Sequence, residues 1–226
     1  MLTGLAWLAL EVKYLEPARA FYGDVLELST LAETDGELRF EAGETALVLR
    51  RPDGVPRGGL HTHFAFSIPA GEYDDWWDRL ERSHELEEFR FGDARSLYLY
   101  DPDGNCVELG QRPVSGPGID GIFEVVLEVE ELARAEAFYA GLGFETVDRG
   151  RGRTRIRMAG PVALELWEPQ LGLADARGGV HVDLGFRCPD PAAAAAAVAD
   201  RAPSVEVTDR AVVRDPDCHH LTFLPE

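Results

Sequence analysis

The sequence predicts an α+β fold built from four tandem β-α-β-β-β units, and three observations carry that expectation. The helical segment Ala18-Arg19-Ala20-Phe21-Tyr22 returns as Ala135-Glu136-Ala137-Phe138-Tyr139, the mark of internal duplication. Short apolar strands with period two open each unit. The turn Asp101-Pro102-Asp103-Gly104-Asn105 has a degenerate echo in Asp215-Pro216-Asp217.

Taken in order, the first unit (residues 4–52) opens with a strand at Leu5–Val12. A helix follows that contains Pro17, Ala18, Phe21 and Leu26, and then strands at Glu37–Glu41 and Thr45–Arg50 around Ala42-Gly43. The second (59–113) has a strand at His61–Ile68 and a helix over Tyr73–His84 with Trp76, Trp77 and Leu80 at helical spacing. Its closing strands, Leu97–Tyr100 and Cys106–Leu109, flank the Asp-Pro-Asp-Gly-Asn turn. The third (119–169) repeats the first: Ile122–Val129, a helix over Leu132–Gly141, Thr154–Met158 and Val162–Trp167. The fourth (179–226) opens with His181–Cys188 and continues with an alanine-rich helix over Pro189–Ala202, alanine being the strongest helix former. Residues 113–119, with Pro113, Ser115, Gly116, Pro117 and Gly118, form a linker, so the expected domains are 1–113 and 119–226.

The formal charge of −19, with Lys13 the sole lysine, argues against nucleic acid and anionic membranes as partners. It suits a high-salt, halophilic cytoplasm, where screening limits self-repulsion. No apolar run reaches the roughly 20 residues that span a bilayer, and the opening segment with Glu11 and Lys13 does not read as a secretion signal. A soluble cytoplasmic protein, monomer or homodimer, is expected. Cys106, Cys188 and Cys218 lack the spacing of a zinc or redox motif.

Alternation assigns faces to the strands. In unit two, Thr62, Phe64, Phe66 and Ile68 point toward the helix, and His61, His63, Ala65 and Ser67 away from it. In unit three, Phe123, Val125 and Leu127 point inward, opposite Ile122, Glu124 and Val126. Glu108 and Glu165 also fall on the polar-bearing face, which becomes a candidate site.

The two Phe-Tyr helices, the strand His63-Phe64-Ala65-Phe66 and the run Leu97 to Leu109 around its turn resemble the vicinal oxygen chelate superfamily of glyoxalases, bleomycin resistance proteins and extradiol dioxygenases. The resemblance covers nearly the whole chain. It implies two funnel-like domains, each closed by two units, with a divalent metal held by first-strand and last-strand residues. Carried over by position, these are Trp7, His63, Glu124 and Asp183, and Val48, Glu108, Glu165 and Thr222. Pairing units one with two and three with four leaves Trp7, Val48, His63 and Glu108 in one funnel. The other then holds Glu124, Glu165, Asp183 and Thr222, with nitrogen only from His181 or His220. Pairing one with four and two with three gathers His63, Glu108, Glu124 and Glu165, one imidazole and three carboxylates compatible with zinc, nickel, manganese or iron.

A glyoxalase-like lyase or isomerase is the function this implies, the metal binding two adjacent substrate oxygens and stabilising an enediolate. Glu165 or Glu124 would move the proton and His61 would orient substrate or ligand, while Tyr98, Tyr100, Arg157 and Trp167 would line the substrate pocket. Two alternatives stand beside it: an extradiol dioxygenase-like enzyme acting on a catechol, and a metal-free small-molecule or drug-binding protein of the bleomycin-resistance type.

Overall fold

A computed structural model describes residues 1–52, 59–151, 154–169 and 182–226, with only the backbone of Leu60. The expected residues Gly179 and His181 lie outside the described residues. Among the described residues, sixteen strands form two eight-stranded sheets, the first joining units one and four and the second units two and three.

The first sheet takes β1 (Gly4–Glu11), β2 (Thr30–Glu33), β3 (Glu37–Ala42) and β4 (Thr45–Arg50) from unit one. From unit four it takes β13 (Val182–Arg187), β14 (Ser204–Val207), β15 (Ala211–Arg214) and β16 (His220–Leu224). The second takes β5 (Leu60–Pro69), β6 (Glu87–Phe91), β7 (Ala94–Tyr100) and β8 (Cys106–Arg112) from unit two, and β9 (Gly121–Glu128), β10 (Glu145–Arg149), β11 (Arg155–Ala159) and β12 (Ala163–Trp167) from unit three. Opening strands meet antiparallel at the centre of each sheet, β1 on β13 and β5 on β9. Neither sheet coincides with residues 1–113 or 119–226.

The registers are equivalent. Trp7 pairs with Gly185 and Ala9 with Asp183 in the first sheet, as His63 pairs with Val126 and Ala65 with Glu124 in the second. Val48 lies beside Ala9 and Glu108 beside Ala65, while Thr222 lies beside Gly185 and Glu165 beside Val126. The first-strand and last-strand positions of all four units therefore fall at matching points of two funnels.

One continuous core joins the sheets, with Leu8, Leu10, Phe64, Phe66, Val125, Leu127, Leu184 and Phe186 all fully or almost fully buried. The helices pack into it: α1 (Leu15–Arg19), extended by a π-helical turn over Ala20–Val25, α2 (Tyr73–Leu80), α3 (Leu132–Gly141) and α4 (Pro191–Ala196). The Asp190 side chain caps α4, accepting a 2.9 Å bond from Ala193 N–H. The helix stops well short of Ala202, since beyond the alanine run the chain turns toward the exposed edge strand β14.

The repeated motifs are the ties between sequence neighbours. Tyr22 of unit one donates a 2.8 Å hydrogen bond to Asp101 of unit two, and Tyr139 of unit three donates one of the same length to Asp215 of unit four. Lys13 N–H on Asp103 and Glu130 N–H on Asp217, each 2.7 Å, repeat the pattern. Side chains clasping turns thus join unit one to two and unit three to four, while strand ladders join one to four and two to three. Among the described residues, no helix is long and apolar enough to cross a membrane.

Candidate metal centre

The second sheet curls around a cavity of about 510 Å³. His63 and Glu108 come from the paired strands β5 and β8, and Glu124 from β9 on the other side of β5. Their ligand atoms lie within 4.8 Å of one another, and all three residues are buried. His63 Nε2 is 3.5 Å from Glu108 Oε2 and 3.7 Å from Glu124 Oε1. The other ring nitrogen, Nδ1, is turned to Thr62 Oγ1 at 3.5 Å, so Nε2 is the one directed at the carboxylates. The edges of Tyr98 and Trp167 hold the imidazole at 5.6 and 5.7 Å between ring centroids.

Burial alone would lower the His63 pKa, but the bonds and charges of Glu108 and Glu124 outweigh it and push the imidazole up to about 9. Glu108 is pulled the other way: burial raises it, and His63, Ser96 and Tyr98 together bring it below the ordinary glutamate value. The Tyr98 hydroxyl donates to Glu108 Oε2 at 2.7 Å. Two buried carboxylates facing one imidazole are a donor set of the kind that can hold a divalent cation.

Glu165 shares the cavity, but its carboxylate is engaged elsewhere. Oε1 accepts from Arg155 at 3.2 Å and Arg157 at 3.0 Å, and Oε2 accepts from Trp167 Nε1 at 2.7 Å. Arg157 also pairs with Glu124 Oε2. Of the four expected residues, His63, Glu108 and Glu124 bring their ligand atoms within 4.8 Å of one another, and Glu165 holds the arginine that also pairs with Glu124. Of the expected pocket residues, Tyr98, Arg157 and Trp167 line the cavity.

Tyr100 does not line it. At the far end of β7 it pairs with Cys106 and stands 43% exposed, so sharing a face with Tyr98 carries it past the cavity's edge. His61 also departs from expectation. A bulge makes Thr62 an extra residue between the pairs His61–Leu127 and His63–Val126, which turns His61 to the core side beside Phe64, their rings 6.4 Å apart. There burial, with His63 and His219 adding to it, lowers its pKa to about 3. A second bulge, between Ala65–Glu124 and Phe66–Ile122, reverses the inward assignment of Phe123, which lines the cavity while Ile122 joins the core. The expected residues His220 and Thr222 belong to the other sheet.

Phe89, Phe91, Arg112, Phe123 and Arg155 complete the lining and were not expected there. Arg112 was legible, because it lies four residues beyond Glu108 on one strand and so shares its face. Phe89 and Phe91 sit on an edge strand exposed on both faces, which leaves no burial pattern to read.

A sequence profile of the Glyoxalase/Bleomycin resistance protein/Dioxygenase superfamily matches residues 4–109. A metallothiol transferase FosB from Lysinibacillus sphaericus is 30% identical over 108 residues, 45% of this chain and 77% of the relative. One from Staphylococcus haemolyticus is 28% identical over 116 residues, 48% and 84% of the two chains. Among solved structures, a putative dioxygenase from Bacillus subtilis aligns over 100% of this chain and 86% of its own, with TM-score 0.76 and 18% identity. Glyoxalase I from Zea mays aligns over 98% and 92%, with TM-score 0.72 and 19% identity. Both share the fold. With its repeated units, paired funnels and this likeness in sequence, the chain belongs to the glyoxalase/bleomycin resistance protein/dioxygenase superfamily.

Proposed function

We propose that the chain is a divalent-metal-dependent enzyme acting on a small oxygen-rich molecule in the cavity of the second sheet, with His63, Glu108 and Glu124 as the metal ligands. The observation that supports this is the convergence of the three ligand atoms within 4.8 Å on the wall of that cavity. The donor set fits a divalent ion: two carboxylates and a neutral imidazole supply two negative charges, and the set is compatible with zinc, nickel, manganese or iron. When bound, such an ion supplies Lewis acidity to adjacent substrate oxygens.

The protein groups divide the remaining work. Tyr98 and His63 hold Glu108, and the edges of Trp167 and Tyr98 hold the His63 ring. Glu165 keeps Arg157 in place, and Arg157 keeps Glu124 oriented. Of the two carboxylates expected to move a proton, Glu124 is the one we assign. Glu165 is held by three donors and acts as a positioning residue. The reaction is then proton transfer beside a carbonyl, in the manner of a glyoxalase-like lyase or isomerase. The metallothiol transferase relatives favour a second reading, in which the same ligands serve addition of a thiol.

Metal titration tests the reading. Wild-type protein stripped with chelator and titrated with nickel or manganese is expected to take up one ion per chain, and Glu108→Gln to lose it. Uptake unaffected by Glu108→Gln, or no uptake by the wild type, would overturn it.

A further inference from the structure

The arginines of the cavity are unequal. Arg155 pairs with Asp148 and Glu165, and Arg157 with Glu124 and Glu165. Arg112 lines the same cavity, yet no described carboxylate forms an ion pair with it. Its guanidinium lies over the Phe123 ring, 3.7 Å from the centroid, and its side-chain hydrogen bond is a long one of 3.4 Å to the adjacent Gln111 carbonyl. Burial lowers its pKa, and the attraction of Glu108 and Glu124 does not offset that. Arginine stays charged at any ordinary pH, so this is a half-buried cation with donors to spare.

Its position relative to the candidate metal ligands is set by β8. Glu108, Gly110 and Arg112 alternate onto one face, which separates the α-carbons of Glu108 and Arg112 by roughly 13 Å. Gly110 leaves the space between them to Phe123: a β-carbon there would stand 2.9 Å from the ring and 3.1 Å from Glu108 Oε1. An aromatic floor therefore runs from the carboxylate cluster to the guanidinium. Phe89, packed edge-on against Tyr98 at 5.2 Å, and the exposed Phe91 stand at its side.

We propose that Arg112 is the anion-binding residue of this cavity, and that the substrate class is an amphiphilic carboxylate. Its apolar, preferably aromatic body rests on Phe123, its oxygens face His63, Glu108 and Glu124, and its carboxylate pairs with Arg112. This rests on reading the cavity as a substrate site. A single planar guanidinium matches a planar carboxylate through two parallel hydrogen bonds. The overall charge of −19 makes a dedicated local cation necessary, since the surface at large repels an anion.

The test compares 3-phenylpropionate with 3-phenylpropan-1-ol, which differ in charge at one end, by calorimetric titration into metal-loaded and metal-free protein. Wild type is expected to prefer the carboxylate by about tenfold or more. Arg112→Gln should abolish the preference, Arg112→Lys should keep part of it, and both should melt close to wild type. No preference in wild type, or a preference that survives Arg112→Gln, would overturn the proposal. A preference that depends on Arg112 without metal upholds it even where the titration above defeats the metal reading. One lost on removing metal but kept in Arg112→Gln places the carboxylate on the metal and overturns it.

Discussion

Where the second sheet presents His63, the first presents Trp7 at the same register, and where the second presents Glu124 the first presents Asp183. Both funnels thus carry a buried carboxylate at an opening strand, but its lone pairs go to different partners. Asp183 accepts from Trp7 Nε1 at 3.2 Å, Arg50 at 3.0 Å and Thr222 at 3.0 Å. Trp7 lies on Gly185, where a β-carbon would come within 2.3 Å of the indole. The first funnel is crossed by a network whose acceptor is satisfied by protein donors. In the second, Glu108 and Glu124 face an imidazole and a cavity. A carboxylate at an expected ligand position is available to a metal only while the protein supplies too few donors to satisfy it.

Substitutions on the two sides should separate accordingly. His63→Ala should weaken metal binding by more than about 100-fold, measured by competition with a chromophoric chelator, whereas Asp183→Asn should leave it unchanged. An equal effect of both would break the comparison. Trp7→Ala should cost roughly 2–3 kcal/mol in chemical denaturation, from lost packing and the lost hydrogen bond to Asp183, with metal stoichiometry intact. Gly110→Ala should press on Phe123 and Glu108 and lower metal affinity about tenfold with a smaller loss of stability.

The smallest expected effect concerns the paired turns. Burial raises Asp101 despite bonds from Asn105 and Tyr22. Burial would raise Asp215 as well, but the charge and hydrogen bond of His219, where unit two has Asn105, hold it below the ordinary aspartate value. A depressed carboxylate contributes stability that is present above its unfolded value near 4 and is lost as pH falls through its folded value. His219→Asn should therefore cost about 1 kcal/mol near pH 6, with the gap to wild type closing as pH falls below about 4. A gap that widens with acid would show that His219 does not hold Asp215 ionised.

The fold was legible wherever a strand buries one face and a motif repeats. The Phe-Tyr helices and the Asp-Pro turns were visible as repeats, and they prove to be the clasps that join unit one to two and unit three to four. The edge strands β2, β6 and β10, exposed throughout, carry no alternation and could not be placed from pattern. Within the site, His63, Glu108 and Glu124 follow from strand phase, but a single extra residue reverses phase, and bulges at Thr62 and Phe123 did so for His61 and Phe123. The engagement of Glu165 depends on Arg155 and Arg157 from the adjacent strand β11 and on Trp167, contacts that only strand pairing brings together.

Anomalous diffraction from crystals of manganese-loaded protein tests the inequality of the two funnels most directly. One peak per chain among His63 Nε2, Glu108 Oε2 and Glu124 Oε1, with none at Asp183, is the predicted result. A peak at Asp183, or none beside His63, would contradict it.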